Sequence, residues 1–434
     1  MNMADSEVVL GLLSGSGFSL TENIAEADLI LVNTCSVREH AEQRVYGRLG
    51  KFKAAKNKNP EIIVGVLGCM AERLREKLQK EKSRGVGQSV DIIVGPDEYR
   101  KLPDLVTKAW HGERGIAVQL SRIETYNDVT PLRTSGISAW ISVMRGCDKF
   151  CSFCVVPFTR GRERSRAHHS ILQEIEILYD RGFREVTLLG QNVNSYKDQN
   201  FDFADLLKTA ALVESKMRIR FVTSHPQDMS DKLIRTIAEH DNICKYIHLP
   251  IQSGSDRILE LMDRNYDKNH YLNLINKIKL LMPAVSISTD IIAGFPTETD
   301  ADHKETLDIM NEVRFDGSYM FKYSPRENTP AFKMPDDINE EIKAQRINDI
   351  MELQRKISLE NNQRHIGQTL EVLVEGESKK SSLEFHGRTD GNKMTIFPKG
   401  EFKKGDYANI RIERANSATL FGKIPTTLTM EEAA

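Results

Sequence analysis

Apolar positions in the first hundred residues fall into short unbroken runs, separated by longer stretches that are apolar on one face only. Asp28-Leu-Ile-Leu-Val-Asn33, Glu61-Ile-Ile-Val-Gly-Val-Leu67 and Asp91-Ile-Ile-Val-Gly95 have the continuous pattern of strands buried on both faces, and 37–56 reads as a helix between the first two. Unbroken strands alternating with helices predict a doubly wound parallel α/β domain. Six more strand–helix units follow, with strands near 139–144, 185–189, 219–223, 245–250, 285–293 and 318–323 and helices such as 170–180 and 268–281. Repeated βα units predict a curved parallel sheet with its chemistry at the C-terminal strand ends. Six units instead of eight give a partial (βα)6 barrel, open on one side. A long polar helix over 339–364 leads away from it. Beyond 367 the pattern shortens to alternating strands, 369–374, 393–397 and 407–412, between glycine and charged turns, which predicts a small antiparallel β-barrel. The expected division is 1–112, a linker over 113–137 where the rhythm is lost, 138–364, and 365–428.

Charge and composition narrow the function classes. The 434 residues carry a net charge of −2 with 28% charged side chains, so there is no global basic field and any nucleic-acid contact must be local. No apolar run approaches the ~20 residues that span a bilayer, and the first residues lack the basic and apolar regions of a secretion signal. Six cysteines in a chain of this length argue against a disulfide scaffold. A reducing cytoplasm and no membrane partner are expected.

The densest chemistry is Arg145-Gly-Cys-Asp-Lys-Phe-Cys-Ser-Phe-Cys154, directly after a predicted strand. Thiolates at Cys147, Cys151 and Cys154 on one tight loop suit three irons of a 4Fe-4S cluster and leave the fourth iron open for a small molecule. A structural zinc ion is the competing reading. It needs a fourth ligand, and the nearest histidines, His168 and His169, lie outside the loop. The other strand ends are polar: Leu189-Gly-Gln-Asn-Val-Asn194, Thr223-Ser-His-Pro226, His248-Leu-Pro-Ile-Gln-Ser-Gly-Ser255 and Ser288-Thr-Asp290. Glycine permits close backbone approach there, and amides, hydroxyls and a carboxylate can bind a ribose, an amine or a carboxylate. The candidate cofactor contacts are Gly190, Gln191, Asn192, Ser224, Gln252, Ser253 and Asp290. Phe153 either lies against an adenine or packs within its loop.

Arg160, Arg162, Arg164 and Arg166 follow the cysteine loop directly; they suit phosphate recognition, with a solvated charged loop as the alternative. Cys35 and Cys69 each end a buried strand, which places both thiols on the edge of the first sheet where ligands bind. Cys244 precedes a buried strand and reads as a core thiol.

On these residues almost the whole chain resembles the radical S-adenosylmethionine (SAM) methylthiotransferases. Arg145-Gly-Cys-Asp-Lys-Phe-Cys-Ser-Phe-Cys-Val-Val-Pro157, Thr159-Arg-Gly-Arg-Glu163, Leu189-Gly-Gln-Asn-Val-Asn-Ser-Tyr196, Tyr323-Ser-Pro-Arg326 and Asn2-Met-Ala-Asp-Ser-Glu7 match the branch that acts on isopentenylated tRNA. The resemblance implies an N-terminal methylthiotransferase domain, a radical SAM partial barrel and a C-terminal TRAM domain. It implies two 4Fe-4S clusters, one SAM-binding on Cys147, Cys151 and Cys154, and one auxiliary with Cys35 and Cys69 as two of its ligands. The family's third auxiliary ligand lies in a Tyr-Gly-Cys-Gln segment ahead of Met-Asn and has no counterpart in this sequence. Either the numbering starts at an internal methionine or the segment is lacking, and the chain as written is expected to hold that cluster poorly and to be weakly active or inactive. The implied reaction consumes two SAM, one to methylate a cluster-bound sulfide and one to make a deoxyadenosyl radical. The radical takes hydrogen from carbon 2 of N6-isopentenyladenosine beside the anticodon, where methylthio is then placed. The implied partners are a tRNA anticodon stem-loop and an electron donor such as flavodoxin or ferredoxin, with the protein a monomer. The alternatives are methylthiolation of threonylcarbamoyl-adenosine in tRNA, methylthiolation of a ribosomal-protein aspartate, or a cluster-impaired RNA-binding protein.

Overall fold

The computed structural model describes residues 1–36, 39–75, 77–80, 89–133 and 136–425. In the first domain β1 (Leu29–Thr34), β2 (Ile63–Gly68), β3 (Ile92–Val94) and β4 (Gly115–Ala117) form a parallel sheet in that order. Alternate side chains divide between its two faces. Ile30, Val32, Val64 and Val66 pack with Val45 and Leu49 of the helix Glu39–Lys58, while Ile63, Leu67 and Ile92 pack with Val8 and Leu13 of Asn2–Gly15 and Val106 of Leu102–Trp110. The sheet is therefore doubly wound, as its unbroken apolar runs predict.

One expectation fails here. The stretch 113–137 is no simple linker, because β4 pairs with β3 inside it. The rest of the stretch helps to seal the domain boundary. The Tyr126 hydroxyl accepts from the Tyr99 amide at 3.0 Å and donates to the Pro96 carbonyl at 2.9 Å, and Arg133 is buried against Glu7 and Glu174. A three-residue strand is too short to show a period.

The central domain follows with β5 (Ser138–Ser142), β6 (Glu185–Leu189), β7 (Arg218–Val222), β8 (Tyr246–His248), β9 (Ser286–Ala293) and β10 (Gly317–Lys322). All pairs are parallel and sequential, in the sheets β5-β6-β7 and β8-β9-β10, joined by a bridge between Ile219 and Ile243. Among the described residues β5 and β10 do not pair, so the barrel stays open. Ile141, Leu188, Ile219, Ile247, Ile287 and Ile291 lie in the core beneath the surrounding helices. Alternation puts Arg220, Tyr246, His248, Ser288 and Asp290 on the opposite, inner face.

The C-terminal strands β11 (Thr369–Ser378), β12 (Ser381–Thr389), β13 (Met394–Pro398), β14 (Tyr407–Ala415) and β15 (Leu420–Lys423) close into a barrel. It is antiparallel except for one parallel pair, β13 with β15, which the alternation alone does not reveal. Its turn at 388–390 docks on the N-terminal ends of the central strands. Arg218 donates to the Arg388 carbonyl at 2.8 Å, and Arg220 donates to the carbonyls of Thr389 (2.8 Å) and Asp390 (2.9 Å) and to Glu185 (2.6 Å). Arg220 and Glu185 are both buried, so removing one partner leaves an uncompensated charge, at a cost of about 3–5 kcal/mol. We expect Arg220→Ala to loosen this docking, seen as faster amide hydrogen exchange at 371–375 and 388–390 while the first domain stays protected.

Candidate functional site

The cysteine loop leaves β5 and is pinned along its length. The Cys147 amide donates to the Gly161 carbonyl at 3.2 Å, the Cys154 amide to the Cys151 carbonyl at 2.9 Å, and Ser152 to the carbonyls of Met262 and Leu261. Gly146 holds φ +80 so tightly against Arg162 that an added Cβ would stand 2.0 Å from the Arg162 carbonyl oxygen. Its amide donates to the Gln191 side chain, which couples the loop to the end of β6. Burial pushes the Cys147 and Cys154 thiols up to about 12, with the neighbouring Cys151 adding to the effect. Without metal these thiols stay protonated at neutral pH, so iron binding must displace their protons. The Cys151 Sγ accepts from Arg264 Nη1 at 3.3 Å. Among the described residues the zinc reading gains no closing ligand from His168, which is bonded to Asp198 at 2.8 Å and stacked on Phe201.

Around this loop the strand ends carry buried, unsatisfied polarity. Gln191 Nε2, Asn192 Oδ1, Ser224 Oγ and His225 Nε2 are buried without a hydrogen-bond partner among the described residues. Each such atom costs about 1–3 kcal/mol if nothing meets it. Burial, with Arg264 and Lys149 nearby, pushes His225 down to about 2, so its ring is neutral. Thr223 and Gln252 hold φ of 71° and 74°, conformations non-glycine residues rarely adopt, and such strain concentrates at functional sites. Four unpaired donors and acceptors beside three thiols fit the amine, carboxylate and ribose of a bound SAM.

The second sulfur site is the C-terminal edge of the first sheet. Thr34 pairs with Gly68, so Cys35 and Cys69 follow adjacent strand ends. Gly68 has φ +91, and an added Cβ would lie 2.6 Å from the Thr34 carbonyl oxygen, so only glycine lets β2 turn there into the helix Cys69–Leu74. That helix packs on Val156–Arg160, which begins two residues after Cys154. The two sulfur sites therefore share one seam. Arg160 crosses it, donating from Nε to Cys69 Sγ at 3.1 Å and from Nη2 to Asp5 at 2.6 Å. Arg145 holds the other Asp5 oxygen at 3.0 Å. Burial raises the Asp5 carboxyl, but Arg160 and Arg145 outweigh it and bring it down to about 2.

Three regions match known family models: the radical SAM superfamily over residues 141–310, the uncharacterized protein family UPF0004 over 1–95, and the TRAM domain over 363–424. Over 97% of its length the chain is 52% identical to the tRNA-2-methylthio-N(6)-dimethylallyladenosine synthase of Chloroherpeton thalassium, covering 93% of that protein. The chain belongs to this synthase family. Synthases of the same name from Parabacteroides distasonis and Porphyromonas gingivalis are 51% and 48% identical, over 98% and 99% of the chain and 93% and 94% of those proteins. Among solved structures, the radical S-adenosylmethionine methyltransferase TsrM from Kitasatospora setae, with cobalamin and a 4Fe-4S cluster bound, matches with a TM-score of 0.57 at 16% identity, over 75% of this chain and 73% of that one. That likeness shows the fold alone. A 4Fe-4S cluster and SAM follow from membership of the radical SAM family.

The structure places the predicted residues unevenly. Gln191, Asn192 and Ser224 join the unsatisfied rim, and Gly190 lies so close to Met144 that an added Cβ would stand 2.6 Å from its side chain. Gln252 exchanges backbone hydrogen bonds with β9 across Asp290 and Ile292, and Asp290 lies 3.4 Å from His248. Ser253 is buried and supports the turn at Ser255 instead of facing the rim. Phe153 packs on the apolar cluster of Ile258, Met262 and Phe295, the loop-packing alternative.

The arginine run needs correction. Arg160, Arg164 and Arg166 are buried and bonded to Asp5, Asp97 and Glu174; the first two tie the domains together, the third braces the central domain itself, and none is left to face a phosphate. Only Arg162 faces solvent, 65% exposed beside Asp148 and over the Phe150 ring at 5.0 Å. Cys244 is buried within the core as expected. His225 and Arg264 were not singled out from the sequence. His225 sits within a quoted polar run, but Arg264 carries no local signal. No helix among the described residues is long and apolar enough to cross a membrane.

Proposed function

We propose that this chain is a tRNA methylthiotransferase that installs methylthio on carbon 2 of N6-dimethylallyladenosine beside the anticodon, drawing sulfur from an auxiliary cluster at Cys35 and Cys69. The observation that carries the reading is the shared seam, where the helix opening with Cys69 packs on the helix that follows Cys154. When bound, the SAM cluster and SAM supply a carbon radical strong enough for an adenine C–H bond, and the auxiliary cluster supplies the sulfur. The chain's own residues provide position. Cys147, Cys151 and Cys154 hold the first cluster at the mouth of the barrel, and Gln191, Asn192, Ser224 and His225 orient the SAM polar groups. A cavity of about 330 Å³ on the seam, lined by Glu72, Arg75, Phe158 and Asn328 among others, has the size of a nucleobase site. Loop bases enter such a pocket at small unstacking cost.

Arg162, stacked on Phe150 at the lip of the cysteine loop, meets the RNA backbone, while the TRAM barrel holds the stem. We expect Arg162→Ala to weaken binding of an anticodon stem-loop regardless of sequence and to reduce the salt slope of binding by about 1, measured by fluorescence anisotropy at several salt concentrations. The electron comes from a low-potential donor such as flavodoxin or ferredoxin, and the protein acts as a monomer in the cytoplasm. The reading is tested by supplying reduced protein and SAM with isopentenylated and unmodified stem-loops. Mass spectrometry of the nucleosides should find methylthiolation of the isopentenylated substrate only. Equal modification of both substrates, or of neither, contradicts it.

A further inference from the structure

Arg264 is buried at 4% exposure, and each of its nitrogens is engaged. Nη1 donates to Cys151 Sγ at 3.3 Å, Nη2 to the Pro250 carbonyl at 3.0 Å and Nε to the Tyr266 hydroxyl at 2.9 Å. The Tyr266 hydroxyl in turn donates to the carbonyls of Pro250 and Ile251, and its ring lies 5.2 Å from the guanidinium. The side chain therefore ties a cluster thiol to the strand-end loop in which Gln252 is strained. Its charge is the distinctive point. Among the described residues no carboxylate forms an ion pair with Arg264, and His225 nearby is neutral. A buried guanidinium without an anion is costly. At the other sulfur site part of that cost is met within the protein, because Arg160 touches Cys69 but also forms an ion pair with Asp5, which it shares with Arg145. Among the described residues the anion that faces Arg264 is the Cys151 thiolate with whatever it binds.

We infer that Arg264 supplies the uncompensated positive charge that stabilises the reduced form of the SAM-binding cluster and so sets how readily it takes up its electron. The inference rests on the radical SAM reading of Cys147, Cys151 and Cys154. The step is a one-electron uptake from a low-potential reductant, with no bond made or broken. A positive charge near the thiolate lowers the energy of the more negative state, and a hydrogen bond to a cluster sulfur acts in the same direction.

The test uses the full chain with Cys35→Ala and Cys69→Ala, so that a single cluster titrates. Potentiometry with dithionite, followed by electron paramagnetic resonance of the reduced cluster, compares this parent with Arg264→Gln and Arg264→Lys. At a fixed poise Arg264→Gln should hold about tenfold less reduced cluster, a midpoint about 59 mV more negative for one electron. Arg264→Lys keeps the charge without the planar fork and should shift less, in the same direction. Coincident titrations of parent and Arg264→Gln overturn the inference. So do equal shifts in the two variants, which would mark packing alone, and loss of iron from both, which would mark assembly alone. Failure of the parent itself to bind a cluster would instead overturn the radical SAM reading.

Discussion

Replacing Cys151 by alanine removes reductive SAM cleavage. The three thiols sit on one loop whose backbone is fixed by Gly161, Met262 and Leu261 and offers no fourth sulfur to take over. Groups that merely support a metal ligand are worth about 10–100-fold, and a ligand itself is worth more, so formation of 5′-deoxyadenosine should fall by more than about 100-fold. Iron content should drop at the same time. Cys244→Ala provides the contrast, because Cys244 is buried in the core beside Arg220 and should leave the iron bound. Chromatography of 5′-deoxyadenosine together with iron analysis separates the two.

The second large effect is at the domain boundary. Asp5 is fully buried and receives both Arg145 and Arg160, which reach it from the cysteine loop and the helix after it. Asp5→Asn leaves Arg160 facing a neutral partner and Arg145 with Asp97 at 3.6 Å, and removing one member of such a buried network costs about 3–5 kcal/mol. It should also free the seam on which Cys69 and Cys154 meet. The sign with pH follows from the depressed carboxyl. The folded value of about 2 lies below the ordinary carboxylate range, so the contribution is complete above about pH 4 and is lost as pH falls through 2. Unfolding followed between pH 6 and 2 should show the native chain losing stability across the lower part of this range. The Asp5→Asn chain should be less stable at neutral pH and flatter in that acid window.

How much of this was legible in the sequence depends on how local the cause is. β1, β2 and β6 read clearly because burial on both faces leaves an unbroken apolar run. The rim was legible because close backbone approach and ligand contact require glycine, amides and hydroxyls at strand ends. β4 escaped because three residues carry no period, and β15 because its partner β13 lies across a chain reversal. The arginine run misled for a different reason. Like charges in sequence read as a phosphate site or a solvated loop, whereas Arg160 and Arg164 find Asp5 and Asp97 only once the domains dock, and Arg166 finds Glu174 in the helix His168–Asp180 that follows it. Arg264 was silent, since its partners Cys151 and Pro250 are brought to it by the barrel alone.

The most direct measurement follows the hydrogen itself. An isopentenylated stem-loop carrying deuterium at carbon 2 of the target adenosine should deliver one deuterium into 5′-deoxyadenosine while the same nucleoside gains methylthio. Deoxyadenosine that forms without deuterium, or a nucleoside that keeps it, would contradict the account.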